Sequence, residues 1–87
     1  MKIVKELCLR NVGGDDILVP VGKTVDEYNG LFFLSPVGAL VYKGIENNLD
    51  EKQILSSILD EFDVDEETAE ADMNEFINEL KDSGIVE

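Results

Sequence analysis

Apolar and polar residues alternate in the first part of the chain, and this alternation predicts β-strands. Leu7 and Leu9 fall on one face of a first strand over residues 6–10, because successive side chains in a strand point to opposite faces. A cluster of turn-forming residues follows over 13–16. The next apolar run, 17–21, is therefore expected to pair back on the first strand as a hairpin.

A third apolar run ends in a signal for the start of a helix. Residues 31–34 are all apolar and follow the turn signal Asn29-Gly30, which predicts a short strand preceded by a loop over 22–30. Ser35 can cap a helix that begins with the proline after it. A strand at a sheet edge can pair with an extended peptide through its backbone N–H and C=O groups. This third strand is thus a candidate binding element.

Apolar residues at helical spacing predict three helices in the rest of the chain. The first covers about 36–45, and the second begins after a capping-box signal at Asp50 and Gln53. The third begins in the acidic stretch 63–67, where the helix macrodipole favours negative charge, and is expected to stop at Gly84. Its apolar stripe comprises Ala69, Met73, Phe76, Ile77 and Leu80. The sequence therefore predicts an α+β fold with a three-stranded antiparallel sheet followed by three helices, in the order β-β-β-α-α-α.

The charge balance narrows the range of partners. The 87 residues include 7 Lys+Arg and 20 Asp+Glu, for a formal net charge of -13. This charge repels a phosphate backbone and an anionic membrane surface, so neither nucleic acid nor a membrane is an expected partner. No apolar run approaches the roughly 20 residues of a membrane-spanning helix. At 87 residues the chain is expected to form one domain over residues 1–87. Because Cys8 is the single cysteine and the N-terminus lacks the apolar core of a signal peptide, we expect that domain to be cytoplasmic.

The chain lacks the residue types of ordinary catalytic and metal sites. It has no histidine and one cysteine, so a nucleophile with its activating base cannot be built from the usual residues. A calcium loop starting at Asp63 fails, because Thr68 stands where the loop needs glycine and Asn74 where it needs glutamate. A carrier protein with a cofactor-bearing serine stays a minor alternative, since Asp82-Ser83 falls at a helix end. We expect no enzyme, no cofactor and no metal site.

Short motifs in a fixed order cover the chain from about residue 7 to residue 87. They are Val12-Gly13-Gly14, Leu18-Val19-Pro20-Val21-Gly22, Asn29-Gly30-Leu31-Phe32-Phe33-Leu34-Ser35 with Gly38, Ile54-Leu55, Ile58-Leu59, Glu61-Phe62-Asp63-Val64, Asp72-Met73, Phe76-Ile77, Leu80 and Gly84-Ile85-Val86-Glu87. In order and spacing these motifs resemble the PqqD family, also called RiPP recognition elements, which are small winged-helix-like domains used in making ribosomal peptide natural products. The sequence departs from many relatives at Ser35, where asparagine is common, and over 43–48, where a shorter turn is frequent.

The resemblance implies a noncatalytic peptide chaperone. In that family the leader of a precursor peptide adds as a strand beside the third strand and lies against the third helix. A partner enzyme then modifies the core peptide, and such partners include radical S-adenosylmethionine enzymes and, in lasso-peptide systems, a leader peptidase. Carried over to this sequence, the peptide-binding residues are Leu31, Phe32, Phe33, Leu34, Met73, Phe76, Ile77 and Leu80.

Two features of the implied binding surface follow from general principles. Strand alternation separates Phe32 and Leu34 from Leu31 and Phe33, and either pair can face the groove. Because the chain is strongly acidic, apolar contacts are expected to outweigh charge steering, so that the affinity for the peptide falls only weakly with added salt.

Two other functions use the same predicted elements. A winged-helix transcription factor needs lysine and arginine on its recognition surface, whereas the third helix has one basic residue, Lys81. The acidic residues on that helix include Glu70, Asp72, Glu75, Glu79 and Asp82. A general protein–protein adaptor stays open as an alternative, because strand addition to any extended segment uses the same backbone groups.

Overall fold

The computed structural model describes residues 1–27 and 31–87, so the predicted Asn29-Gly30 turn lies outside the described residues. The elements are β1 (Leu7–Val12), β2 (Asp15–Pro20), a 3₁₀ helix (Gly22–Asp26), β3 (Phe32–Leu34), α1 (Pro36–Glu46), α2 (Glu51–Glu61) and α3 (Glu66–Asp82). The predicted α+β order of three strands followed by three helices is confirmed.

The three strands form an antiparallel sheet in the order β1-β2-β3. The hairpin between β1 and β2 turns on Gly13 and Gly14 alone, whose φ angles are 60° and 89°. A two-residue turn with both φ angles positive matches the right-handed twist of the flanking strands. The predicted turn over 13–16 is therefore too long, because Asp15 and Asp16 already pair with β1.

The stretch 22–30, predicted as a loop, begins with the 3₁₀ helix. Thr24 is buried there, and its Oγ1 accepts a hydrogen bond of 2.8 Å from the backbone N–H of Glu6. This bond ties the segment to the residue before β1. Because the anchoring contact is polar, the hydrophobic pattern gives no sign of it.

The helix ends follow the capping signals in the sequence. Ser35 Oγ accepts a hydrogen bond from the backbone N–H of Gly38 at 3.0 Å and so caps α1. Asp50 and Gln53 form the reciprocal capping box of α2, with bonds of 2.8 and 3.0 Å. Gly84 has a φ angle of 76°, a left-handed conformation that ends the chain's helical path after α3.

The three helices pack on the inner face of the sheet around an apolar core. The N-terminal residues 2–4 also pair with residues 85–87, with Val4 N–H donating to the Ile85 carbonyl at 2.8 Å. This pairing closes the core at the end of α3. The largest fully buried side chains are Tyr42, Leu18, Ile54, Ile58, Ile85 and Val41.

Candidate functional site

A groove of about 490 Å³ lies between β3 and α3. β3 stands at one edge of the sheet, and among the described residues only β2 pairs with it. The outer edge of β3, opposite β2, is therefore the strand edge nearest the groove. We call this space the β3–α3 groove, and its lining comprises Leu18, Leu31, Phe32, Phe33, Leu34, Ser35, Phe76, Glu79, Leu80, Ser83 and Ile85.

The three residues of β3 and Leu31, which was predicted in the strand but directly precedes it, all border the groove, but their side chains have different surroundings. Phe32 and Leu34 are half-buried and pack against the core. Phe32 lies opposite Leu18, whose side chain is fully buried. Leu31 and Phe33 are 51% and 71% exposed. Phe32 and Leu34 are thus the pair that packs against the core, while all four residues border the groove.

The four helix residues of the predicted site divide into two groups. Phe76 and Leu80 line the groove, with Phe76 half-buried and Leu80 4% exposed. Met73 and Ile77 are 3% and 2% exposed, belong to the hydrophobic core and do not line the groove. The physical reason is that successive helical residues are rotated by about 100°. A single apolar stripe on α3 therefore spans two different faces.

Several groove residues lie outside the site predicted from the sequence. Glu79 and Ser83 follow Phe76 by three and seven positions, so helical spacing could have placed them on the same face. Leu18 is found only once the strand register sets it opposite Phe32. Among the described residues, the additional lining residues are Leu18, Ser35, Glu79, Ser83 and Ile85.

The wall formed by Phe76 depends on a glycine in α1. A Cβ atom placed on Gly38 would lie 3.2 Å from Cε1 of Phe76 and 3.3 Å from Oγ of Ser35. Such contacts are tighter than ordinary van der Waals distances, so the hydrogen at this position lets the ring lie close to α1. The first turn of α1 and the middle of α3 together fix this side of the groove.

The groove continues past Phe76 into a second depression with acidic walls. This acidic extension has a volume of about 370 Å³ and is lined by Ser35, Val37, Asp72, Glu75, Phe76 and Glu79. Among the described residues that line the groove or its extension, every charged side chain is a carboxylate. Beside its apolar part, the site therefore has a negative electrostatic potential.

The groups with displaced pKa values lie away from the groove. Burial, with a smaller contribution from the Glu46 carboxylate, raises the pKa of Tyr42 to about 12. Hydrogen bonds from the Thr68 side chain and backbone lower the pKa of Asp65 at the start of α3. Neither residue lines the groove or its acidic extension.

Within residues 1–27 and 31–87, no group of three or more His, Cys, Asp or Glu side chains is arranged to hold a metal ion. None of the helices in these ranges combines the length and apolar character needed to cross a membrane.

Comparisons with known proteins agree with this architecture. The family model for coenzyme PQQ synthesis protein D (PqqD) matches residues 17–86. No curated protein matches the chain. The solved structure of TbiB1 in complex with the TbiA(beta) leader peptide is similar over 100% of this chain and 95% of that chain, with a TM-score of 0.77 and 23% identity. At that identity the similarity shows the shared fold, in which three antiparallel strands precede three helices.

Proposed function

This chain belongs to the PqqD family, whose model spans residues 17–86, and on that basis we propose that it is a noncatalytic chaperone for a ribosomally made precursor peptide. The precursor's leader adds as a strand to the outer edge of β3, and its side chains enter the β3–α3 groove. The observation that carries the proposal is the position of an apolar groove directly beside an edge strand. The bound leader peptide in the similar TbiB1 structure supports the same class of ligand.

The length of β3 determines how many residues of an extended peptide can pair with it. A strand rises about 3.3 Å per residue, so pairing along the three residues of β3 engages about three to five residues of the peptide. Backbone pairing supplies geometry that does not depend on peptide sequence, and the side-chain pockets supply selectivity. We assign direct peptide contact to the six predicted residues that border the groove and a supporting role in the core to Met73 and Ile77. The six are Leu31, Phe32, Phe33, Leu34, Phe76 and Leu80.

The proposal includes a partner that performs the chemistry. We assign no catalytic step and no cofactor to this chain, which has no histidine. A separate maturation enzyme, of the radical S-adenosylmethionine or leader-peptidase class that the family resemblance implies, acts on the delivered precursor. Residues 1–87 serve as one peptide-binding domain, and the site of action is the cytoplasm, where ribosomal precursors are made.

The rival functions differ in the ligand they require. A DNA-binding winged helix needs a basic recognition surface, whereas the groove side of α3 presents Asp72, Glu75 and Glu79. These carboxylates oppose the release of counterions that drives binding to a phosphate backbone. A general adaptor would use the same strand edge, but it would bind extended segments from many proteins with similar affinity.

Binding of a leader peptide to matched variants tests the proposal. The probe is a fluorescently labelled synthetic leader peptide of a candidate precursor, and its binding is followed by anisotropy. Phe76→Glu places a carboxylate in the apolar part of the groove and is expected to weaken binding by at least about tenfold. Leu59→Glu is the matched control, because Leu59 is an exposed leucine on α2 that does not line the groove.

Thermal unfolding followed by circular dichroism must show that both variants remain folded. Unchanged leader affinity in a folded Phe76→Glu protein would contradict the proposed site. Binding of unrelated extended peptides as tightly as the leader would favour the general adaptor instead.

A further inference from the structure

The apolar groove and its acidic extension form one continuous surface. The two depressions share Ser35, Phe76 and Glu79, so an extended chain that leaves one enters the other. The extension lies where β3 gives way to α1, because Ser35 and Val37 contribute to its lining. A peptide that pairs along β3 and continues in the same direction therefore passes the carboxylates of α3.

The three carboxylates of the extension share one face of α3. Asp72, Glu75 and Glu79 are exposed and follow one another at spacings of three and four residues, at which like charges on a helix repel. Glu79 also lies in the last turn of α3, where the helix macrodipole disfavours negative charge. This arrangement of carboxylates therefore lowers the intrinsic stability of the helix. A cation bound across the groove would offset the repulsion.

Building on the proposed function, we propose that the β3–α3 groove selects an extended peptide with a large apolar residue and a lysine or arginine on the same face. The apolar side chain enters the space between Phe32 and Phe76, and the basic side chain faces the acidic extension. Side chains two residues apart in a strand share a face. The carboxylates from Asp72 to Glu79 span about 10 Å, or about three residues of an extended peptide. The basic residue therefore lies two or four positions from the apolar one.

The carboxylates of the acidic extension change the salt dependence expected for peptide binding. The overall acidity predicts that apolar contacts dominate and that salt has a weak effect. The three carboxylates line a continuation of the groove itself, so charge contributes directly to peptide selection. Affinity for a basic peptide is then expected to fall clearly as the salt concentration rises, because exposed charge pairs are screened.

Selection from a random peptide library tests the inference without knowledge of the natural ligand. The probes are random dodecapeptides displayed on phage and selected on the immobilised full chain, after which the enriched sequences are synthesised. The test variant, Asp72→Asn/Glu75→Gln/Glu79→Gln, removes three negative charges beside the groove. The control variant, Asp60→Asn/Glu61→Gln/Glu70→Gln, removes three exposed negative charges that line neither the groove nor its acidic extension.

We expect enriched peptides to carry lysine or arginine two or four positions from a large apolar residue. Their affinity should fall about tenfold in the test variant at low salt and less than about twofold in the control, with the difference shrinking in 1 M salt. Enriched peptides without a basic excess, or equal affinity for both variants, would overturn the inference. The proposed function would stand in that case if amide signals of β3 and α3 still shift on binding. If no peptide is enriched, or bound peptides leave those signals unchanged, the proposed function fails as well.

Discussion

α3 has two neighbouring apolar faces that differ in what covers them. Met73 and Ile77 are buried in the core, whereas Phe76 is half-buried and lines the groove. Leu80 belongs to both environments. Ile77 directly follows Phe76 in the sequence, yet a rotation of about 100° separates an internal contact from a surface that a ligand can reach. Apolar character alone therefore does not identify a binding residue.

α1 contains two glycines, one packed beside the core and one packed beside the groove. A Cβ atom on Gly44 would lie 2.7 Å from Cγ1 of Ile54, which is fully buried in α2. A Cβ atom on Gly38 would instead meet the ring of Phe76 at 3.2 Å. The ring borders open space, whereas the isoleucine is enclosed on all sides. Identical substitutions at the two positions should have different consequences for stability and for binding.

The largest effect is expected from Ile77→Glu. Ile77 is 2% exposed, so a carboxylate there would lose its hydration without gaining a partner. The cost is comparable to the whole stability of a small domain, on the order of 5 kcal/mol. Thermal unfolding should show no cooperative transition, whereas Phe76→Glu should retain one. A folded Ile77→Glu protein with selectively weakened peptide binding would place Ile77 in the groove and break the distinction between the two faces.

A smaller loss of stability is expected at high pH, because the buried Tyr42 resists deprotonation. Burial raises the pKa of Tyr42 from 10.0 to about 12, so the folded protein keeps a proton that the unfolded chain has lost. The unfolded state binds fewer protons in that interval, and stability therefore falls as the pH rises from about 10 to about 12, by about 2 to 3 kcal/mol.

Urea unfolding of the natural protein and of Tyr42→Phe measures this contribution. The phenylalanine variant should lack the part of the pH dependence that is due to Tyr42, while other titrating groups affect both proteins alike. Equal pH dependence of the two proteins above pH 10 would contradict the assignment of the raised pKa to Tyr42.

Alanine at Gly44 or at Gly38 should change the free energy of unfolding by about 2 kcal/mol or less. Gly44→Ala forces the enclosed Ile54 side chain to move and is expected to destabilise the protein by about 1 to 2 kcal/mol without a specific effect on binding. Gly38→Ala should change stability by less than about 1 kcal/mol, because the Phe76 ring can shift and alanine favours the helix. It should instead weaken leader binding. Chemical denaturation and anisotropy on both variants check this, and the reverse pattern would contradict the comparison.

The smallest effect is expected from Cys8→Ser. Cys8 is half-buried in β1, at the sheet edge away from β3, and pairs with Val19 on the face opposite Leu7 and Leu9. The substitution should change stability by less than about 0.5 kcal/mol and leave leader binding unchanged. The same unfolding and anisotropy measurements apply. A clear loss of binding would mean that the far edge of the sheet also contributes to the site.

Local signals in the sequence were sufficient for the order of the elements and for most helix boundaries. Ser35, Asp50 and Gln53 act as caps through bonds to residues three positions away, so short stretches of sequence contain both partners. Features that depend on distant partners were not predictable in this way. Thr24 anchors a 3₁₀ helix by accepting a bond from Glu6, which lies 18 positions earlier. The pairing of residues 2–4 with 85–87 joins the two ends of the chain.

The candidate site could likewise be predicted only as far as local sequence signals reach. The apolar run 31–34 and the stripe on α3 identified both walls of the groove. Separating Phe76 from Ile77 required the packing of α3 against the other elements, because both residues are large, apolar and adjacent. The acidic extension could not be predicted for a different reason. In the sequence, Asp72, Glu75 and Glu79 have the pattern of an ordinary solvated helix face, and only the folded structure places Ser35 and Val37 beside them.

In the proposed complex, a leader peptide pairs with the outer edge of β3 and packs on the Phe76 face of α3. The most direct measurement is an isotope-filtered nuclear Overhauser experiment on the labelled protein with an unlabelled leader peptide of a candidate precursor. We predict contacts between the peptide backbone and the backbone of residues 32–34, together with contacts to the rings of Phe32 and Phe76. Contacts confined to α2, or to β1 at the opposite edge of the sheet, would contradict the account.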